Sequence, residues 1–396
     1  MYNRRDFLKI ILSSTISMHV MSSRPVFSNE KSEELRIGYL PITDATPLLI
    51  AHGKGFFKDE GLSIQKPIRV RSWSTLSESF ITGKFNLTHM LFPIPIWMRY
   101  KNKINVKVLA WNHTNGSALT VRADSHIKRF EDLGGKQIAI PYWYSIHNLI
   151  LQSGLKKVGL TPIVQDQALP VLSNQVNLFI LPPPDMPLAL SGNKIDGYIV
   201  AEPFNVLSEI KINAKILRFT GDIWNNHPCC VVVMQDSMIK EKPIFTQKVM
   251  NALVRAQIWI NQHKNETAHI LSREGNDYLP LSEDILSRVF HQYDLSHYGQ
   301  GSVPQAIRHS SWVSSGRIGF QPYPYPSATQ FIVEKMKHTL MEGDNTFLHE
   351  LSPGFVANDL VEESFVKKAI IDAGGPHLFK TMDFNSPWQR QEIFDI

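Results

Sequence analysis

Two cysteines, Cys229 and Cys230, stand side by side in a chain of 396 residues, and adjacent thiols close only a strained ring. No Cys-x-x-Cys pair accompanies them, and the alternation Cys230, Val232, Met234 reads as one face of a buried strand rather than a redox or metal pair. His291, His297 and His309 are six and twelve residues apart, not the four that would stack two imidazoles on one helix face, so they read as solvated histidines. The chain has no Gly-x-Ser-x-Gly elbow, and no Gly-rich loop ends in Lys-Ser or Lys-Thr. No catalytic constellation, metal or cofactor is expected.

What remains is polar side chains placed where strands pass into helices. Thr43, Asp44 and Thr46 precede Pro47, which suits a first helical turn, and Ser145 opens a second such passage. Helix starts present unpaired amides and the positive end of the dipole, which is what a small anion needs. The competing role for Thr43, Asp44 and Thr46 is plain capping, which stabilises by about 1 kcal/mol whatever the protein binds.

These passages belong to a strand-helix alternation. Strands are expected over residues 35–40, 62–70, 86–91, 106–111 and 119–121, with helices over 47–57 and 75–82, which is the first half of a doubly wound sheet. The pattern restarts with strands at 137–141, 178–181 and 197–200, a helix at 145–157 and a short one at 182–191. A strand at 229–235 and a long helix at 242–263 follow. Residues 298–328 are rich in Gly, Pro and Ser and read as a linker or lid, and 328–373 read as helical.

With 43% hydrophobic and 19% charged residues the chain can bury a substantial core. Its net charge of +5 comes from 41 basic and 36 acidic residues, and Arg4, Arg5, Lys9 and Arg24 against Asp6 fall within the first 28. The remaining 37 basic and 35 acidic residues leave about +2, too little for a nucleic-acid footprint. No run of about 18 apolar residues is present, so the body is not expected to span a membrane. The opening Arg4-Arg5-Asp6-Phe7-Leu8-Lys9, a Ser-diluted apolar stretch and Val26-Phe27-Ser28 make a signal-peptide plan of the twin-arginine type. Residues 1–28 are expected to direct export to the periplasm and be removed.

The segment Ile42-Thr43-Asp44-Ala45-Thr46-Pro47-Leu48-Leu49-Ile50-Ala51, followed by Gly55-Phe56-Phe57 and Gly61-Leu62, resembles the nitrate, bicarbonate and cyanate branch of the periplasmic substrate-binding proteins of ABC importers. So do Ser72-Trp73, Thr114-Asn115-Gly116, Pro182-Pro183-Pro184, Asp196-Gly197, Glu202-Pro203-Phe204-Asn205 and Trp224-Asn225-Asn226-His227-Pro228, in family order. The resemblance implies an α/β, bilobal binding-protein fold of type II with two doubly wound lobes. Lobe 1 would comprise residues 35–119 and 222–310, lobe 2 residues 120–221, and a helical extension residues 311–396. It implies ligand contact by Trp73 and His147, and adds Ser117, Tyr144, Glu202 and Asn225 to Thr43, Asp44 and Thr46 as binding residues.

Departures from the family bear on the ligand. Ser117 stands where nitrate proteins carry Gln, and Asn225 where nitrate binders have Lys and bicarbonate binders a calcium-associated acid. Tyr142-Trp143-Tyr144 replaces a Gly-Gly pair, and its rings either stack on a flat ligand or fill space. The function implied is not enzymatic: an exported, monomeric protein that captures a small ligand and delivers it to an ABC permease. The alternatives are an enzyme resembling the thiamine-pyrimidine synthases of the same fold, and a periplasmic ligand sensor.

Overall fold

The computed structural model describes residues 33–291, 293–312, 316–380 and 382–396; the expected export signal lies outside them. In chain order the strands are β1 (Ile37–Tyr39), β2 (Ile68–Arg69), β3 (Leu87–Leu91), β4 (Val106–Trp111), β5 (Thr114–Asn115), β6 (Ser117–Val121), β7 (Lys136–Ile140), β8 (Thr161–Ile163), β9 (Gln175–Ile180), β10 (Gly197–Ala201), β11 (Lys215–Phe219), β12 (Cys230–Gln235) and β13 (Ile318–Gly319). One sheet runs β2-β1-β3-β12-β4, a second β11-β6-β10-β7-β9-β8, and β13 pairs with β5 in a short ribbon.

Strand direction decides where the loops gather. In the first sheet β1 is parallel to β2 and β3, while β12 is antiparallel to β3 and β4, with Cys230 opposite Leu91 and Val231 opposite Trp111. The carboxyl ends of β1, β3 and β4 therefore share one edge with the start of β12. In the second sheet β6 is antiparallel to β10 and β11, with Ser117 opposite Ala201 and Ala118 opposite Phe219. The start of β6 thus lies beside the ends of β10 and β11, and β7, parallel to β10, adds its own end. Strands covered on both faces read as unbroken apolar runs, and β12 is buried from Cys230 to Met234.

The expected strand at 119–121 belongs to the second sheet, not the first. Asn115 and Gly116 both take left-handed backbone, φ 57° and 78°, and two such residues in succession turn the chain out of the first sheet before β6 begins. The return crossing follows β11, and there a Cβ on Gly221 would stand 2.7 Å from Cγ of Asn115, so the two crossings approach more closely than a side chain permits. The strand expected over 62–70 shrinks to β2 plus a single bridge between Leu35 and Ile64. Residues 298–328, expected as a linker or lid, are packed: Arg317 is buried and β13 pairs with β5. Gly and Pro mark irregular backbone, but say nothing about what covers it.

The long helix, Pro243–Gln262, buries Val249, Leu253, Ala256 and Ile260 along one stripe. The C-terminal segment buttresses both sheets. Asp359 takes a two-point bond from Arg99 (2.6 and 2.8 Å), Glu342 accepts from Nε1 of Trp143 and Glu392 from Nε1 of Trp224, each at 2.9 Å. Among the described residues no helix is long and apolar enough to cross a membrane.

Candidate functional site

The shared edge of the first sheet gathers polar side chains. After β1 the chain makes a 3-10 turn over Thr43–Ala45 and enters the helix Thr46–Gly53 with Pro47 in its first turn. Neither Thr43 nor Asp44 caps that helix, whose N-cap residue is Ala45 with no side-chain bond. Thr46 donates to the carbonyl of Thr43 at 2.6 Å, and the Thr43 hydroxyl donates to the carbonyl of Glu202, just beyond β10 of the second sheet, at 3.0 Å. Freed from capping, the buried Asp44 carboxylate meets Nε2 of His113, just beyond β4, at 2.9 Å. Cys230 and Cys229, at the start of β12, donate to the same Oδ2 at 3.1 and 3.7 Å. The side-chain amide of Asn112 donates to the Asp44 carbonyl and holds the turn.

Further imidazoles and an indole surround this centre. His89, in β3, accepts from the amide of Leu40 at Nε2 (3.1 Å), so its proton sits on Nδ1. Trp73 opens the helix Trp73–Ile81, behind a true cap at Ser72, and stands edge-on to His89 with centroids 5.5 Å apart. From the second sheet, His147 lies in the first turn of the helix Ile146–Lys157, whose cap is Ser145 accepting from Asn148 at 3.1 Å. Nε2 of His147 pairs with Oγ of Ser117 at 2.9 Å. His227 pairs through Nε2 with Thr220 at 2.9 Å.

Electrostatics separates these histidines. Burial disfavours the charged form of His113, but the Asp44 carboxylate outweighs it and raises the imidazole to about 10. Burial likewise works against the Asp44 anion, yet His113 and the Cys230 thiol hold it below the usual carboxylate range. His89, His147 and His227 have no such partner, and burial lowers them to about 3, 4 and 3. The centre is therefore one ion pair surrounded by neutral imidazoles, with burial, Cys229 and Asp44 pushing the Cys230 thiol up.

Several polar atoms of this centre are unpaired. Nε1 of Trp73, Nδ1 of His89, His113 and His147, Oδ1 of Asp44 and Oδ1 of Asn112 are buried without a hydrogen-bond partner. Such groups cost about 1–3 kcal/mol each when left unpaired. A Cys-His-Asp catalytic relay needs the acid on one ring nitrogen and the nucleophile on the other. Asp44 instead faces Nε2, while Nδ1 has no partner.

Thr43, Asp44, Trp73, Ser117 and His147 come together around this centre. Thr46 is one turn removed, spent on Thr43. Glu202 is present through its main chain, because its carboxylate pairs with Arg317 at 3.1 Å and accepts from the amide of Val206. Tyr144 packs against Trp97 and Phe347 at 5.4 and 6.5 Å, filling space beside Tyr142. Asn225 lies apart, in a separate cavity of about 710 Å³ with Lys264, Lys380 and Arg390, its amide bonded to Ile393. The position at which this chain departs from the Lys of nitrate binders and the acid of bicarbonate binders therefore lies outside this centre. Sequence reasoning passed over His89, Asn112, His113 and His227 as site residues and read both cysteines as part of a buried core strand, although His113 adjoins the Thr114-Asn115-Gly116 landmark and His227 and Cys229 flank Pro228.

Known proteins share this plan. The nitrate/nitrite-binding protein NrtA of Nostoc sp. strain PCC 7120 is 28% identical over 320 residues, covering 75% of this chain and 68% of its own. The crystal structure of the periplasmic nitrate-binding protein NrtA from Synechocystis PCC 6803 superposes with a TM-score of 0.73 at 17% identity, over 91% of this chain and 93% of that one. The periplasmic aliphatic sulphonate-binding protein SsuA from Escherichia coli gives 0.58 at 13% identity, over 84% and 92%. The fold is thus that of the periplasmic binding proteins, as the residue pattern implied. The sequence pattern of the NMT1-like family matches residues 28–272, more than half of the chain, and to that family this protein belongs.

Proposed function

We propose that this protein is the exported solute-binding component of an ABC-type importer, closing over one small polar ligand and passing it to a membrane permease. The observation that carries the reading is the convergence of unpartnered buried donors and acceptors from Trp73, His89, Asn112, His113 and His147 at the facing edges of two sheets. The relatives support it, being nitrate- and sulphonate-binding proteins by name. Ligands of this fold class lie at the carboxyl ends of the strands, where these residues gather.

On this reading residues 35–116 and 222–310 move as one lobe, with the crossover just before Ser117, and 117–221 as the other, so that β6 goes with its own sheet rather than being cut at residue 119. The protein works as a monomer, and its twin-arginine signal sends it to the periplasm. Thr43, Asp44, Trp73, Ser117 and His147 contact the ligand. Thermal-shift screening against nitrate, cyanate, bicarbonate with calcium, sulfonates and pyrimidines should find one ligand that stabilises the protein. Small-angle scattering with that ligand at saturation should then show compaction. An unchanged scattering curve with proven binding would remove the closure mechanism.

A further inference from the structure

The ligand types around Asp44 are those of a metal site. One carboxylate, one imidazole and two thiols, from Asp44, His113, Cys229 and Cys230, place one ligand atom each within 4.8 Å of all the others, fully buried. In a tetrahedral zinc site, with Zn–S about 2.3 Å and Zn–N or Zn–O about 2.0 Å, neighbouring ligand atoms stand about 3.3–3.8 Å apart. The three edges that meet at Oδ2 of Asp44 measure 2.9 Å to His113 and 3.1 Å to Cys230, both slightly contracted, and 3.7 Å to Cys229, within that range. Hydrogen-bonded protons hold those atoms together in the metal-free protein, and an ion would replace them.

Topology makes the cluster a single rigid unit. Asp44 follows β1, His113 follows β4 and the cysteines begin β12, so all four come from the shared edge of the first sheet and need no closure of the cleft to meet. Nδ1 of His147 and Oδ1 of Asn112, both unpartnered, stand nearby as groups that a bound ion or its ligand could meet. Mixed thiolate and imidazole donors select borderline to soft cations, whereas calcium and magnesium prefer oxygen alone.

We infer that Asp44, His113, Cys229 and Cys230 form a binding site for a thiophilic transition-metal cation of the Zn²⁺ class at the base of the cleft. The inference builds on the proposed ligand cleft but stands on a different measurement. Binding displaces the His113 proton and the thiol protons, so the cation gains affinity as pH rises and protons are released on uptake.

The test uses the exported protein, kept reduced and stripped with a chelator, and titrated with Zn²⁺ alone in competition with a chromophoric chelator. One ion per chain is expected, and Cys229→Ser/Cys230→Ser should weaken it by roughly a hundredfold or more. Cobalt substitution supplies a second readout, a thiolate-to-metal charge-transfer band that the serine variant lacks, and circular dichroism checks that the variant folds. Absence of stoichiometric zinc, or zinc binding unchanged in a folded serine variant, overturns the inference. If wild-type protein takes up no zinc yet compacts with a ligand from the screen, the metal site fails and ligand capture stands. If it takes up zinc through the cysteines and no screened ligand compacts it, the metal site stands and the capture reading fails.

Discussion

The amide and the hydroxyl of Thr43 both donate to the main-chain carbonyl of Glu202, at 2.9 and 3.0 Å across 159 residues of sequence. Thr43 follows β1 of the first sheet and Glu202 follows β10 of the second, so this pair fastens the facing edges together. Thr43→Val keeps the amide bond and the shape but loses the hydroxyl bond, a change of about 0.5–1.5 kcal/mol. The variant should populate a more open form and bind ligand roughly three- to tenfold more weakly. Small-angle scattering and calorimetry read the two effects, and a variant indistinguishable from wild type in both would show that the contact is no latch.

Stability should fall in mild acid. His89, His147 and His227 stay neutral in the fold down to about 3, 4 and 3, against 6.5 for a free imidazole. Below pH 6.5 the unfolded chain therefore takes up protons that the folded chain refuses, and each histidine removes up to about 1.4 kcal/mol per pH unit. His113 acts in the opposite sense: raised to about 10, it contributes fully below 6.5 and loses that contribution as pH climbs through 10. The stability maximum is expected between these limits. Urea unfolding at pH 5 and pH 7.5 should differ by several kcal/mol, and equal midpoints would mean that these imidazoles are not buried.

Arg317 ties the segment once expected as a linker to the second sheet. Its buried guanidinium meets the buried Glu202 and the half-buried Glu209 at 3.1 Å each and the Tyr298 hydroxyl at 2.5 Å. Burial alone would lower the Arg317 pKa, and the two facing carboxylates raise it instead. Arg317→Met strands a buried carboxylate and should cost about 3–5 kcal/mol, while adding Glu202→Gln should restore part of that. Chemical denaturation of the single and double variants decides it; a single variant as stable as wild type would show that Arg317 is dispensable.

The alternation of strands and helices was legible because doubly wound sheets repeat one hydrophobic pattern. Thr43 and Asp44 stood out as polar positions where a strand passes into a helix, whereas Trp73, Ser117 and His147 came through the family resemblance. Asp44 shows where such reading stops: a side chain before a helix looks like a cap, and only the register that brings β4 and β12 alongside β1 reveals His113 and Cys230 as its partners. The cysteines obey strand alternation and are buried, yet burial did not separate a core residue from one lining an internal polar site. Asn225 shows the converse: of its segment only His227 approaches the centre, while Asn225 lines the cavity beside the C-terminal segment and its backbone amide bonds to Ile393.

Arg4 and Arg5 precede Asp6-Phe7-Leu8-Lys9, and a twin-arginine route reads the guanidinium pair rather than charge alone. Replacing both with Lys keeps the charge and should stop accumulation in the periplasm. Cell fractionation measures this, and normal export of the double variant would remove the assignment.

The last prediction concerns charge at the centre of the cleft. Asp44 already occupies the protonated imidazole of His113, and a unit anion arriving about 5 Å from that carboxylate meets repulsion of about 3 kcal/mol at an effective dielectric near 20. The neutral His89 and His147 supply donors but no compensating charge. Nitrate should therefore bind the chelator-treated protein weakly, well above micromolar Kd. Asp44→Asn removes that repulsion together with the carboxylate that keeps His113 charged, so in mild acid, where His113 can still take a proton to pair with the guest, nitrate affinity should rise by roughly tenfold or more. Calorimetry on both proteins is decisive: submicromolar nitrate binding by the wild type, or a weaker complex in the asparagine variant, would show that Asp44 assists the anion rather than opposing it.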